Sequence, residues 1–152
     1  MSCVIRRALI VPVVALAAAL PLGCDLGDDS EAIPARAADS VQALPAGQRE
    51  AAEALVRLES TARDRDGEAL CDRVYLFAGG PSERCPSVMR KIFPTQGGYS
   101  VAVRSVRFES SDHAFADALT VTVTPSGSRE RFPNTTFELR RRSGAWRVVF
   151  QT

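Results

Sequence analysis

Residues 71–85, with the sequence CDRVYLFAGGPSERC, separate two parts of this chain that have different hydrophobic periods. In the part before them, apolar residues recur at the spacing of one face of a helix. In the part after them, apolar residues alternate with the two-residue period of a strand. A single switch of this kind predicts an α+β domain, in which helices pack on one face of an antiparallel sheet.

The first 24 residues have the composition of an export signal. Arg6 and Arg7 precede an apolar run over residues 8–20, which is too short to span a bilayer comfortably, since that takes about 20 residues. The glycine and cysteine that follow, ending at Cys24, resemble the bacterial lipobox, in which the cysteine carries a lipid once the signal has been cleaved. We therefore expect a signal peptide over residues 1–23 and a lipid-anchored protein on the extracytoplasmic face of the cell membrane. A secreted product and an uncleaved anchor are the alternatives.

The chain has four cysteines, and the export signal accounts for Cys3 and Cys24. Cys71 and Cys85 remain as one pair in the folded part, and two thiols so spaced are expected to form a disulfide in an oxidising compartment. A loop of this length adds roughly 3 kcal/mol of stability in the chain-entropy description. The alternatives are two buried free thiols or one exposed reactive thiol. Because the chain has one histidine and no second cysteine pair, no metal site is expected.

The remaining chain divides into a linker and a domain of ordinary size. Residues 24–46 contain prolines, small residues and early acidic residues but few large apolar ones, so we expect a flexible, lipid-anchored linker there. Residues 47–152 are left as one domain. The signal takes two of the 19 basic residues and none of the 18 acidic ones, which leaves 17 against 18 and a net charge near −1. A nearly neutral domain predicts no nucleic-acid partner.

Three helices are predicted before the strands. The first runs from Gln48 to Asp64, and its buried stripe recurs at i, i+4, i+7 and i+11: Ala51, Leu55, Leu58 and Ala62. Glu53 and Glu59 are expected on its solvent-exposed side, and each has an arginine four residues later in the sequence.

The second helix begins after a cap by Asp66 and ends at Gly79. Its apolar face consists of Leu70, Val74 and Phe77. The third helix begins near Pro86. Its expected core residues are Val88, Met89 and Ile92.

Four strands joined by short turns are predicted to form an antiparallel meander. They cover residues 99–109, 113–124, 129–141 and 145–151. The alternation slips by one place at Arg104, which indicates a bulge, and Pro133 indicates an edge or a second bulge. Trp146 is expected in the core.

Helices followed by a bent antiparallel sheet, with the closing sequence SGAWRVVF over residues 143–150, resemble the cone-shaped domain of the nuclear transport factor 2-like superfamily. This superfamily also contains ketosteroid isomerase and scytalone dehydratase. The lipobox, the short linker, and the cysteines in the second helix and before the third are similar to those of small actinobacterial lipoproteins. The resemblance implies a curved sheet folded around a helix, with a pocket at the open end. It implies no particular reaction, because function depends on the site.

Four side chains are candidates for a site in such a cone. Asp117 shares a face of its strand with apolar residues, where an unpaired carboxylate would be costly to bury. Alternatively, the opposite face, which carries alanines, is the covered one and Asp117 lies in water. His113 can titrate near neutrality, but it stands beside a turn, where exposure is expected. Tyr75 and Tyr99 could line the mouth of a pocket or be partly buried core residues.

Arginines crowd the last two strands: Arg129, Arg131, Arg140, Arg141, Arg142 and Arg147. The faces of Arg129 and Arg131 are left open, because they depend on whether the strand slips at Pro133. Arg140 and Arg142 should point away from the core. These arginines form either a solvated sheet surface with edge protection or a patch for lipid headgroups, an anionic polymer or an acidic partner.

No glycine-rich phosphate loop, nucleophile elbow or metal-ligand cluster occurs in the sequence, so no cofactor is predicted. We therefore expect a non-enzymatic, membrane-anchored domain that binds a small apolar ligand or an envelope protein through its cone and sheet. One alternative is an isomerase, dehydratase or hydrolase that uses Asp117 or His113 in the cone. The other is a cell-envelope assembly or interaction module that uses the outer face of the sheet.

Overall fold

A five-stranded sheet with helices on one face forms the domain, in a computed structural model that describes residues 36–77, 83–92 and 96–150. The strands are β1 (Tyr75–Phe77), β2 (Gly98–Phe108), β3 (His113–Val123), β4 (Arg129–Arg142) and β5 (Ala145–Phe150). The helices are α1 (Ala37–Gln42), α2 (Ala46–Arg63), α3 (Gly67–Ala69) and α4 (Cys85–Ile92). The sheet order is β1-β5-β4-β3-β2. The expected α+β architecture, with helices packed on a curved sheet, is confirmed.

β1 is a strand that the sequence pattern does not predict. β2 to β5 form the expected antiparallel meander, and β1 adds a fifth strand parallel to β5, with Tyr75 opposite Val148 and Phe77 opposite Phe150. The predicted second helix, which was to end at Gly79, is therefore wrong in its second half. The apolar spacing there fits a helix, but the aromatic residues pack better on a pleated sheet beside a neighbouring strand.

The chain between α2 and β1 is a short helix followed by a wider helical turn. Asp66 caps α3 as predicted, since its carboxylate accepts a hydrogen bond from the backbone N–H of Ala69 at 2.9 Å. A π-helical turn, Leu70–Val74, then leads into β1. The predicted disulfide between Cys71 and Cys85 is confirmed, with the two Cα atoms 5.8 Å apart. It fixes the start of α4 to the turn that precedes β1.

α1 lies within the segment that was predicted to be a flexible linker. Ala37 and Val41, one helical turn apart, are at most 2% exposed, and α1 packs against α2 and β2. The prediction that the domain begins at residue 47 is therefore wrong. A six-residue helix is too short to be stable alone, so packing rather than propensity holds it. The predicted signal peptide and residues 24–35 of the predicted linker lie outside the described residues.

Side chains of the helices close the free edge of β2. Three backbone N–H groups of this edge donate hydrogen bonds to α1 and α2: Val101 to Oε2 of Glu59 at 2.9 Å, Val103 to Oγ of Ser40 at 2.9 Å, and Val106 to Oε1 of Gln48 at 3.1 Å. An uncovered edge is where a sheet adds further strands. The helices thus take the place of a sixth strand beside β2.

Two β-bulges bend the sheet around the middle of β3. The predicted slip at Arg104 is confirmed as a bulge of β2. A second bulge lies in β4, where Pro133 and Asn134 together oppose Leu119. Nη1 of Arg104 lies 3.5 Å from Oδ1 of Asn134, so the two bulges meet across β3. Because bulges increase the local twist, they curve the sheet around the helices.

The inner face of the sheet, which is the face that the helices cover, carries the alanines of β3. These alanines are at most 1% exposed: Ala114, Ala116 and Ala118. The predicted stripe of α2 is confirmed as buried at Ala51, Leu55 and Leu58. In α4, Met89 is buried, whereas the predicted core position of Val88 is wrong because its side chain is 38% exposed.

Candidate ligand-binding site

An aromatic cluster lies on the inner face where β1 and β5 meet. Tyr75 and Phe77 are two residues apart on β1 and therefore point to the same side, and Phe150 of β5 is the Cα partner of Phe77. The ring centroids of Tyr75 and Phe150 are 4.9 Å apart, those of Phe77 and Phe150 are 5.5 Å apart, and those of Tyr75 and Phe77 are 6.4 Å apart. All three side chains pack against the core and are half-buried. Part of this apolar surface is thus open to solvent.

The two tyrosines of the chain are close enough for the charge of Tyr75 to influence the pKa of Tyr99. Burial raises the pKa of Tyr75 from 10.0 to about 12. Burial is also the main reason why the pKa of Tyr99, at the start of β2, is raised, and the electrostatic influence of Tyr75 and then of Glu59 adds to it. Both phenols therefore stay protonated at neutral pH, where they can donate hydrogen bonds but cannot act as bases. Tyr75, Phe77, Tyr99 and Phe150 are called the aromatic end below.

The carboxylate next to this region is Glu59 of α2. Its predicted place on the wet side of the helix is wrong, because the residue is 3% exposed. Oε2 accepts hydrogen bonds from the backbone N–H groups of Ala37 and Val101, both at 2.9 Å. Oε1 binds Nη2 of Arg63 at 2.6 Å. With three donors around it, this carboxylate joins α1, α2 and β2.

The helical period contains the signal that Glu59 is buried. Ala52, Leu55, Glu59 and Ala62 follow the spacing i, i+3, i+7 and i+10, which is that of one helix face. By contrast, Glu59 is charged and has Arg63 four residues later, and such ion pairs usually lie on the solvent-exposed side of a helix. At this position, the spacing of the apolar residues therefore predicts burial better than the charge pairing does.

Asp117 lies on the opposite side of the sheet from the aromatic end. The alternation of β3 places the alanines inside, and Asp117 is exposed. Its Oδ1 accepts a hydrogen bond from Oγ1 of Thr136 at 2.8 Å. The sequence left open which face of β3 the helices cover, and in the structure they cover the face that carries the alanines. Asp117 thus points away from the inner face.

His113 lies on the same outer face as Asp117, at the start of β3. Its Nε2 is 3.1 Å from Oε1 of Glu138, although the geometry is not that of a hydrogen bond. Its ring centroid is 4.9 Å from that of Phe115, and Nε of Arg140 binds the same oxygen of Glu138 at 2.9 Å. These contacts place His113 in a surface network that is separate from the tyrosines.

At the other end of β5, the inner face is closed. Trp146 is buried as predicted, and its ring centroid is 5.8 Å from that of Phe108. Nη2 of Arg57 donates a hydrogen bond to the carbonyl oxygen of Trp146 at 2.8 Å. Nη2 of Arg141 binds Oε1 of Glu50 at 2.7 Å. These two contacts tie α2 to β4 and β5 at this end of the sheet.

Within the described residues, no group of three or more His, Cys, Asp or Glu side chains is arranged to hold a metal ion. Over residues 36–77, 83–92 and 96–150, no helix is long and apolar enough to cross a membrane. Cys24, the predicted site of lipid attachment, lies outside this part of the chain.

Solved structures of other proteins share this fold. No protein-family model and no curated protein matches the sequence. A protein assigned as an aromatic ring hydroxylase from Novosphingobium aromaticivorans is similar with a TM-score of 0.51 and 15% identity, over 69% of this chain and 86% of that one. A ketosteroid isomerase-like protein from Erwinia carotovora atroseptica has a TM-score of 0.48 and 16% identity, over 69% and 92%. An NTF2-like protein of unknown function from Shewanella oneidensis has a TM-score of 0.48 and 11% identity, over 63% and 88%.

Proposed function

We propose that this protein binds a small apolar ligand at the aromatic end of its cone, as a non-enzymatic domain held by a lipid on Cys24 at the extracytoplasmic face of the cell membrane. The observation that carries the proposal is the half-buried triangle of Tyr75, Phe77 and Phe150, whose ring centroids lie 4.9 to 6.4 Å apart. The rings offer apolar area to a ligand, and the hydroxyl groups offer hydrogen-bond donors that can orient it.

The state of the nearby titratable groups favours binding over catalysis. The raised pKa values of Tyr75 and Tyr99 keep both phenols protonated, and Glu59 already has three donors. Asp117 and His113, which the enzymatic alternative would use, point to the other side of the sheet. Among the described residues, these groups give the aromatic end no free base for a proton-transfer reaction.

The membrane location is supported by the N-terminal sequence and by the disulfide. The basic start, the apolar run and Cys24 have the order of a lipoprotein signal. The bond between Cys71 and Cys85 is typical of compartments outside the cytoplasm. Mass spectrometry of the protein from bacterial membranes tests this part directly. We expect an N-terminal peptide with a diacylglycerol on Cys24, and an unmodified or uncleaved terminus would contradict it.

Extraction of the purified full chain tests the binding proposal. The protein would be exported through an oxidising compartment, purified in detergent and extracted with organic solvent for mass spectrometry. We expect an apolar small molecule in stoichiometric amount from the wild type and a much smaller amount from Phe150→Ala. Phe115→Ala is the matched control, because it removes a half-buried ring from the outer face. An equal loss from both variants would mean that the molecule binds elsewhere.

A further inference from the structure

The bulge of β4 decides where the arginines of this strand point. Strict alternation from Leu139 back along the strand would place Arg131 on the inner face. The bulge at Pro133 and Asn134 reverses the alternation, so that Arg131 is the Cα partner of Val121 on the outer face. The sequence left open whether β4 slips at Pro133, and the structure shows that it does.

The outer faces of β4 and β5 consequently collect five arginines. They are Arg129, Arg131, Arg140, Arg142 and Arg147, and we call them the outer arginine face. On the same side of β3, β4 and β5, which are all described, the carboxylates are Asp117 and Glu138. Even without Arg129, which makes its own contact, four cations stand against two carboxylates on this side, although the whole chain has a net charge of +1. The positive charge is therefore concentrated on this side of the sheet.

Local contacts leave this positive charge in excess. Glu138 contacts both Arg140 and His113. Its single negative charge therefore does not neutralise the other arginines of the face. Arg140 and Arg147 are direct Cα partners on neighbouring strands, and like charges in this position repel each other. Nη1 of Arg147 binds the carbonyl oxygen of Asp72 at 2.8 Å, which does not neutralise its charge. An anionic surface would relieve the repulsion.

We infer that the outer arginine face docks the domain on the anionic phospholipid headgroups of the membrane to which the chain is tethered. The inference rests on the membrane anchoring in the proposed function. Guanidinium groups suit this surface because they bind phosphate oxygens through two parallel hydrogen bonds. Tethering raises the local concentration of the face at the bilayer, so that contacts which are weak one by one suffice. In the docked orientation the helix layer faces away from the bilayer.

Energy transfer from the single tryptophan to labelled lipids tests the inference. The full chain would be reconstituted into vesicles of phosphatidylcholine, with or without phosphatidylglycerol, that contain a lipid with a dansyl headgroup. Trp146 is the donor, since the chain has one tryptophan. We expect greater transfer in the anionic vesicles, and a decrease when salt is added, because salt screens exposed charges.

A double variant of the face shows whether these arginines cause the transfer. Arg131 and Arg142 are exposed, and each arginine near an anionic surface strengthens binding by about fivefold. Arg131→Gln with Arg142→Gln should therefore lower the ratio of docked to undocked protein by about 25-fold. The matched control is Arg84→Gln with Arg90→Gln, which removes the same charge from exposed positions at α4. The control should leave the transfer unchanged.

Three results would overturn the inference. Equal transfer in neutral and anionic vesicles would mean that the face does not bind headgroups. An equal loss from the control variant would mean that total charge matters and the face does not. If the face variant loses binding to soluble polyglutamate but keeps its transfer in vesicles, the partner is an acidic protein. Retention of the chain on neutral vesicles reports the N-terminal anchor separately, so that failure of the anchor and failure of the face are distinguishable.

Discussion

The backbone N–H of Val101 donates a hydrogen bond to the buried Oε2 of Glu59 at 2.9 Å, and this bond joins the edge of the sheet to the helix layer. The same oxygen accepts a hydrogen bond from the N–H of Ala37, so one carboxylate connects α1, α2 and β2. A buried carboxylate is stable in this position because each of its oxygens has a donor. The arrangement closes the sheet edge and holds α1 on the domain at the same time.

Replacement of Glu59 by alanine should strongly destabilise the domain. Two buried N–H groups would lose their acceptor, each at a cost of about 1–3 kcal/mol. We therefore expect the free energy of unfolding to fall by at least about 2 kcal/mol, measured by urea denaturation with Trp146 fluorescence. Glu53→Ala, at an exposed position of the same helix, should change it little. Equal effects of the two variants would show that the carboxylate of Glu59 has no such role.

The stability of the domain should fall at alkaline pH because of its two tyrosines. The pKa of Tyr75 in the folded state is about 12, compared with 10.0 for a free phenol, and the pKa of Tyr99 is also raised. Above pH 10 the unfolded chain loses phenol protons that the folded chain keeps, so the unfolded state gains stability. Stability should thus be unaffected by these groups below pH 10 and should decrease as the pH rises towards 12.

The tyrosinate absorbance of the full chain measures this directly, since the chain has two tyrosines. Little tyrosinate should form at pH 10 in the folded protein, and about half should form in urea. Tyr75→Phe should reduce the loss of stability at alkaline pH. Normal titration of both tyrosines in the folded protein would show that neither phenol is buried as described.

The disulfide should contribute substantially to stability. Replacement of Cys71 and Cys85 by serine should lower the free energy of unfolding by roughly 3 kcal/mol, because the unfolded chain gains freedom in the opened loop. Urea denaturation of both proteins, with and without a reducing agent, measures the difference. The reducing agent should destabilise the wild type and leave the double variant unchanged. An effect of similar size on both proteins would assign the loss to another cause.

Two glycines make a matched pair for a test of packing beside β2. A β-carbon at Gly97 would collide with the backbone carbonyl of Thr124, whereas one at Gly47 in α2 would meet nothing within 4 Å. Gly97→Ala should therefore destabilise the domain by about 1–3 kcal/mol. Gly47→Ala should leave its stability unchanged or raise it by up to about 1 kcal/mol. Thermal unfolding distinguishes these outcomes, and a tolerated alanine at Gly97 would contradict the close approach.

Features with a strong local signal could be predicted from the sequence. The apolar period of α2, the bulge at Arg104 and the last hairpin, whose turn residues Ser143 and Gly144 have φ values of 51° and 81°, each depend on neighbouring residues. The disulfide followed from the number of cysteines. Such features need no knowledge of distant parts of the chain.

Features that depend on distant partners could not be predicted. β1 has three residues, and its strand conformation depends on β5, which is about 70 residues later in the sequence. α1, with six residues, is also short, and it is held by Glu59, 22 residues away from Ala37. Asp117 was ambiguous because both faces of β3 are apolar, and only the position of the helices decides which face is covered. The sequence indicates Tyr75 and Tyr99 as candidates, whereas the contact between Phe77 and Phe150 depends on the pairing of β1 with β5, which has no local signal.

The most direct test of the central claim is the binding of an apolar fluorescent probe, anilinonaphthalene sulfonate, to the folded full chain with and without one ring. Phe150→Ala removes a ring of the aromatic end, and Phe115→Ala removes one from the outer face. Our account predicts saturable binding to the wild type, unchanged binding to Phe115→Ala, and at least about tenfold weaker binding to Phe150→Ala, which corresponds to about 1.4 kcal/mol. Binding that is lost with Phe115 and kept without Phe150 would contradict it.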